Sequence, residues 1–521
     1  MRSKLIRTMV MSIMFLFVLG INISVLADNP PNPIEVKSEV KERGAKHTVP
    51  PVDEARLAKL SITHHSITID KKVIHYQAAA GYMLMKDESG KHQASVFFIA
   101  YTKEKTTDVK TRPITFAFNG GPGSASLWLH MGALGPKRVK MSDEGFQLPQ
   151  PFEYVDNEHS WLEFTDLVFI DPVSTGYSRP APGVDKTQFY GVEEDVRSVG
   201  DFIRLYISKN KRWLSPKFIC GESYGTTRAA GLSGYLQDAY GMYLQGLVLI
   251  SSIMNFHTAR FVPGNDLPYP LFLPTYTAAA WYHKKLPEKY QKDLPATLKE
   301  VEQWALSDYW LALAKGDTLT ETERNRVIDQ LALYTGLSKK YIDQSNLRIE
   351  IYRFTRELLR DEKQRIGRLD NRFKGNLLDA AGDEFEEDPS YIAIYGAYTA
   401  AVNDYIRRQL KYTNDLPYWP IASVYPWNWG KFHGYVNVAE VLRRAINKNN
   451  NLKVMIANGY YDLATPYFAT LYTVNHMNLA KSLGNNIVMK YYEAGHMMYI
   501  RKACLKKLKD DVYEFYRSTL K

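Results

Sequence analysis

The stretch FICGESYGTTRAAG, Phe218 to Gly231, carries the sharpest chemical signal in the chain. An apolar run ends at Gly221-Glu222-Ser223-Tyr224-Gly225, and a small-residue, helix-compatible segment follows at once. A serine between two glycines, where a buried strand turns into a helix, predicts a nucleophile elbow. So tight a turn forces the serine into a strained backbone conformation. The flanking glycines are needed because side chains there would collide with the neighbouring strand and helix. Ser223 Oγ is then expected to project above a sheet at a helix N-terminus, where the dipole favours developing negative charge.

A serine hydroxyl is a poor nucleophile without a base, and the base needs an orienting carboxylate. Asp462 ends the run VMIANGYYD, and His496 sits in YYEAGHMMY, each just past a late strand-like segment. The chain order Ser, Asp, His is that of α/β-hydrolases, and these positions put all three residues at the carboxyl edge of one sheet. A further element is FNGGPGSAS, Phe118 to Ser126, a glycine-rich loop after an earlier apolar run. Such a loop can aim backbone N–H groups at a reacting oxygen. The oxyanion donors are assigned to the N–H groups of Gly121 and Tyr224, the latter being the residue after the serine. A phosphate-binding loop would carry Lys-Ser/Thr, which is missing here. No HExxH occurs, two cysteines are too few for a zinc ribbon, and His64, His65 and His75 match no metal spacing. No metal or other cofactor is expected.

The elements that must position these groups are readable as periods. SITHHSITID, KVIHYQAAAGYMLM and QASVFFIAYT alternate and are β-branched, as in antiparallel strands. ITFAFNGG, DLVFIDP, KFICGES and GLVLISS are short continuous apolar runs, as in parallel strands buried on both faces. Helical segments such as EEDVRSVGDFIRLYISKN lie between them, so the class is α/β. From about residue 256 to 420 strand signals give way to helical ones. The strand–helix pattern then returns in LKVMIANGYYD and NIVMKYYEAGH. The expected architecture is an α/β-hydrolase fold with a helical cap insertion: core in 61–255, cap in 256–420, core again in 421–521.

MRSKLIR, an apolar run and VLADNPPNP form the three-part pattern of a secretory signal over 1–27, with cleavage after Ala27. Residues 28–60, rich in Pro, Lys and Glu, read as an extension. The apolar run is short for a membrane span and interrupted by Gly20 and Asn22, so no stable membrane anchor is expected. With Cys220 and Cys504 as its only cysteines, the exported chain has no disulfide framework. The one N-glycosylation sequon, Asn22-Ile23-Ser24, falls inside the signal, which fits a bacterial periplasmic or secreted protein. The net charge of +10 is scattered through mixed runs rather than clustered on one face, which excludes a nucleic-acid surface.

In NGGPGSAS, FIDPVSTGYS, GESYG, DLATP and AGH, taken in that order, the chain resembles the serine carboxypeptidase family (carboxypeptidase C and cathepsin A-like). FVPGNDLPYPLFLPTYTAAAWYH and GRLDNRFKG resemble its bacterial branch. The resemblance implies Ser223, Asp462 and His496 as catalytic triad, an acyl-enzyme, and removal of the C-terminal residue of a peptide. It also implies that Asn119, Gly120 and Glu222 bind the free C-terminal carboxylate of that peptide. A glutamic acid donates to a carboxylate only while protonated, so binding is expected to weaken as pH rises. Three positions depart from the family pattern. Ala133 stands where a second glutamate is usual, Ala117 where a tryptophan is, and Ser124 where a cysteine is. The usual proline after the histidine is also missing from AGHMMY. The change at Ala133 keeps open an alternative, a serine esterase or acyltransferase with the same triad.

Overall fold

The computed structural model describes residues 54–384, 386–430 and 434–521. The expected signal segment 1–27, and the extension as far as residue 53, lie outside the described residues. A ten-stranded sheet organises the described chain. Strands β1 (Ser61–Ile69), β2 (Lys72–Lys86) and β3 (His92–Lys103) form an antiparallel meander. The strands that follow are β4 (Ile114–Phe118), β5 (Asp166–Ile170), β6 (Lys217–Ser223), β7 (Gly246–Ser252), β8 (Lys453–Gly459) and β9 (Ile487–Tyr492). The spatial order is β1-β2-β3-β5-β4-β6-β7-β8-β9, with Arg179–Pro180 as a two-residue strand beside β3. From β5 through β9 neighbouring strands run parallel.

The continuous apolar runs follow from burial on both faces. Along β6, Phe218 and Cys220 enter one core and Ile219 the other. The first core holds Leu508 and Val512 of the terminal helix Lys502–Thr519, and the second holds Phe202 of Val192–Lys209 and Leu232 of Tyr224–Tyr240. Because β4 and β6 are neighbours, with Phe118 opposite Gly221, the glycine-rich loop and the elbow leave the sheet side by side. The strand order reverses there, since β5 lies on the far side of β4 from β6. Open α/β sheets present their crevice at such a reversal.

Between β7 and β8 the chain is mainly helical. Helices Pro268–Tyr282, Leu294–Trp304 and Glu321–Thr335 bury a core of their own around Leu271, Leu298 and Leu331. Helix Pro389–Arg408 instead places Ala397, Ala401 and Val402 in the core of the sheet. Two strands of three residues, Gln364–Ile366 and Lys374–Asn376, also pair in this region. They are too short to leave a period in the sequence. Cys220 and Cys504 are both buried and free. Among the described residues no helix is long and apolar enough to cross a membrane.

Candidate active site

Ser223 ends β6 and immediately precedes helix Tyr224–Tyr240, with φ 60° and ψ −132°. A non-glycine residue held there is strained. Neighbouring hydrogen bonds brace the turn. Thr226 Oγ1 donates to Ser223 O at 2.7 Å, and Ile253 N–H donates to Thr226 Oγ1 at 2.9 Å. The glycine requirement is steric: a Cβ on Gly221 would lie 2.2 Å from Gly225 O, and one on Gly120 would lie 2.4 Å from Tyr224 N. That second approach lays the Gly120–Gly121 peptide beside the Tyr224 N–H. Tyr224 opens its helix, where N–H groups have no intrahelical acceptor. Gly121 has φ +101°, which a side chain would oppose.

Asp462 and His496 follow β8 and β9, and the structure brings them together. His496 Nδ1 is 2.8 Å from Asp462 Oδ2, with both residues buried. An ionised carboxylate only accepts, so Nδ1 carries a proton, and in the neutral ring Nε2 is then free of one. Ala464 N–H and Thr465 N–H fix Asp462 Oδ1 at 2.8 and 3.0 Å, and Thr465 Oγ1 donates to Oδ2 at 2.6 Å. Burial pushes the Asp462 carboxyl up, but the His496 charge and these hydrogen bonds outweigh it and hold the group below its ordinary value. Burial likewise opposes charge on His496, yet the Asp462 carboxylate and its hydrogen bond, with Glu222, raise its pKa.

The His496 ring bonds to Asp462 and, at 3.3 Å, to Thr465 Oγ1; among the described residues no hydrogen bond joins this ring to Ser223. The link runs through β7 instead. Ser251 Oγ donates to His496 O at 2.6 Å, and the next residue, Ser252, lies opposite Ser223. Catalytic hydrogen bonds are often long until substrate is in place.

Asn119, Gly120 and Glu222 also converge. Asn119 Nδ2 donates to Glu222 Oε1 at 3.0 Å, and Leu129 N–H donates to Asn119 Oδ1 at 3.0 Å. Burial pushes Glu222 up to about 7, against the charge of His496 and the hydrogen bonds it accepts.

Two contacts have no counterpart in the sequence reading. Tyr499, three residues past His496, donates to Glu222 Oε2 at 2.6 Å. Its ring and the Tyr398 hydroxyl pack against Gly132, where a Cβ would meet them at 2.4 and 2.7 Å. A buried tyrosine thus stands beside the turn that holds Ala133. The other contact is Arg228, which donates to Asn119 O and to Asp195 Oδ2, each at 2.7 Å, and ties the glycine-rich loop to the elbow helix. Its only sequence signal is a charge among the small residues of the helix's first turns.

A mixed sheet, parallel where a strained serine sits at its reversal, and a buried Asp–His pair past its last strands define an α/β-hydrolase-like protein. A family model for serine carboxypeptidases matches residues 69–503, and the chain belongs to that family. Carboxypeptidase Y of Candida albicans is 28% identical over 194 residues, covering 37% of this chain and 30% of that protein. The pheromone-processing carboxypeptidase KEX1 of Saccharomyces cerevisiae is 33% identical over 159 residues, 28% of this chain and 21% of that one. Serine carboxypeptidase-like 45 of Arabidopsis thaliana is 24% identical over 268 residues, 46% of this chain and 54% of its own. The chain therefore spans about half or less of the length of these curated relatives. The crystal structure of KEX1(ΔP), a prohormone-processing carboxypeptidase from Saccharomyces cerevisiae, superposes with a TM-score of 0.50 at 17% identity. It covers 84% of this chain and 91% of that one, and it shares the fold.

Proposed function

We propose that this chain is an exported serine carboxypeptidase that hydrolyses the C-terminal peptide bond of peptides. Ser223 Oγ attacks the scissile carbonyl carbon while His496 Nε2 takes the hydroxyl proton and Asp462 holds the imidazole tautomer. The N–H groups of Gly121 and Tyr224 receive the oxyanion. Collapse of the tetrahedral intermediate breaks the C–N bond. His496 returns its proton to the departing amine, and the C-terminal amino acid leaves. Water then attacks the acyl-Ser223 ester with His496 as base, which frees the shortened peptide and restores the serine.

The observation that carries the exopeptidase reading is the buried pair of Asn119, in the glycine-rich loop, with Glu222, the residue before Ser223. A protonated Glu222 can donate to the terminal carboxylate, and Asn119 can add a second donor. Export rests on the basic, apolar and small-residue pattern of residues 1–27. The test is to incubate the mature protein with an N-blocked dipeptide, assay the released amino acid, and label the protein with a fluorophosphonate. Release that is lost in Ser223→Ala, with the label mapped to Ser223, is expected. Release that survives this substitution would overturn the reading.

A further inference from the structure

The segment GRLDNRF, Gly367 to Phe373, joins the short strands Gln364–Ile366 and Lys374–Asn376 and reaches both loops that hold the Asp–His pair. On the Asp462 side, Leu463 N–H donates to Arg368 O at 3.0 Å, and Asn371 N–H donates to Tyr461 O at 2.9 Å. On the His496 side, His496 N–H donates to Leu369 O at 2.7 Å, and Gly495 N–H donates to Asp370 Oδ2 at 3.0 Å. Pairing of β8 with β9 ends at Gly459 and Tyr492. Beyond that point two main-chain bonds join the loops directly, Tyr460 N–H to Tyr492 O at 2.9 Å and Tyr461 N–H to Ala494 O at 3.0 Å. The strap therefore bonds to the main chain of both loops in addition to these direct contacts.

The strap is itself held. Asp388, the N-cap of helix Pro389–Arg408, accepts from Arg368 N–H at 3.2 Å and Leu369 N–H at 3.0 Å. Asp370 N–H donates to Ser390 Oγ at 3.1 Å. Arg372 grips Asp370 through Nε to Oδ1 at 2.9 Å and Nη2 to Oδ2 at 2.7 Å. Their side chains are 1% and 4% exposed. A buried ion pair is weak evidence for stability, because desolvation offsets much of its Coulomb attraction. A two-pronged guanidinium–carboxylate contact does fix geometry well. Here it fixes a carboxylate that takes the N–H next to His496. Gly495 approaches so closely that a Cβ on it would lie 2.4 Å from Asp370 Cβ.

We propose that Asp370, clamped by Arg372, is a positioning residue that sets the place of His496 relative to Asp462 and Ser223. This rests on the catalytic reading given above. In Asp370→Asn the Arg372 fork loses its charged partner, and an amide donor faces either Arg372 or Gly495 N–H. A shift of about 1 Å in a catalytic group costs on the order of 100-fold. Asp370→Asn should therefore lower kcat about 10- to 100-fold on an N-blocked dipeptide, with KM within about twofold of wild type. Fluorophosphonate labelling should slow in parallel, yet still reach every molecule. In a His496→Ala background the same substitution should cause no further loss.

A wild-type kcat in Asp370→Asn, or losses that multiply with His496→Ala, would overturn the proposal. So would a loss confined to KM or to the labelled fraction. Should Asp370→Asn fail to fold, Arg372→Lys keeps the charge without the fork and should lose kcat several-fold at unchanged KM; wild-type kcat there overturns the proposal equally. Activity near wild type in Ser223→Ala or His496→Ala would sink the catalytic reading itself. Only residual activity in both, with wild-type kcat in Asp370→Asn, would sink only the positioning role.

Discussion

The phenol of Tyr499 donates a 2.6 Å hydrogen bond to Glu222 Oε2, while Asn119 Nδ2 holds Oε1 at 3.0 Å. Both oxygens of the carboxyl proposed to meet the substrate are thus engaged by neutral donors. Burial nevertheless dominates and pushes Glu222 up to about 7. The protonated form, which can donate to a substrate carboxylate, exists below that value, and the ionised form above it repels the same carboxylate. KM for a free-acid peptide should rise as pH passes through about 7. Tyr499→Phe removes a bond that favours the ionised form. A hydrogen bond to a charged group contributes about 1.5–3 kcal/mol, or roughly one to two pH units. The KM limb of Tyr499→Phe should move up by that amount, and a limb that stays in place or moves down contradicts the assignment.

The same carboxyl makes a stability prediction. Its folded pKa of about 7 lies above the ordinary 4.5, so the unfolded chain ionises first. The contribution of neutral Glu222 is fully present below the unfolded value and is lost as pH rises through the folded one. Glu222→Gln should gain on wild type between pH 5 and 8, by up to about 3 kcal/mol. Urea unfolding at the two pH values measures the difference, and a gap that narrows with pH would be the wrong sign.

Strain at Ser223 predicts a trade of stability against activity. Ser223 sits at φ 60°, ψ −132°, a region that glycine occupies freely. Such residues store about 1–3 kcal/mol, part of which glycine returns as unfolded-state entropy. Ser223→Gly should abolish hydrolysis yet raise stability by about 1 kcal/mol. A lower denaturation midpoint would mean that the turn is unstrained.

Asp462→Asn keeps the shape of the site but lets the imidazole turn to the wrong tautomer. A loss of about 10⁴ in kcat is expected with KM little changed, by analogy with other serine triads. A loss below about tenfold would remove Asp462 from the mechanism.

Much of the α/β architecture was legible because its signals are local. Continuous apolar runs such as FICG and VLIS require burial on both faces, and the alternating runs of β1 and β2 require it on one. Asp462 and His496, each read from the sequence as lying just past a strand, stand 2.8 Å apart. What was not legible depends on partners distant in sequence. Tyr499 and Glu222 are 277 residues apart, and Arg228 and Asn119 are 109 apart. A tyrosine in AGHMMY and an arginine in a helix carry no local sign of such pairing. Nor does helical period distinguish Pro389–Arg408, which packs into the sheet core, from the helices around Leu271 and Leu331, which pack on one another.

Cleavage at a free C-terminus separates from general hydrolysis with two N-blocked dipeptides, identical except for a free or an amidated C-terminus, at about pH 5 and 7.5, with Ser223→Ala as control. Strong preference for the free acid is expected at the lower pH, shrinking at the higher as Glu222 ionises through about 7. Equal cleavage of acid and amide at both pH values, or turnover of a simple ester with neither peptide cut, would rule out the carboxypeptidase reading.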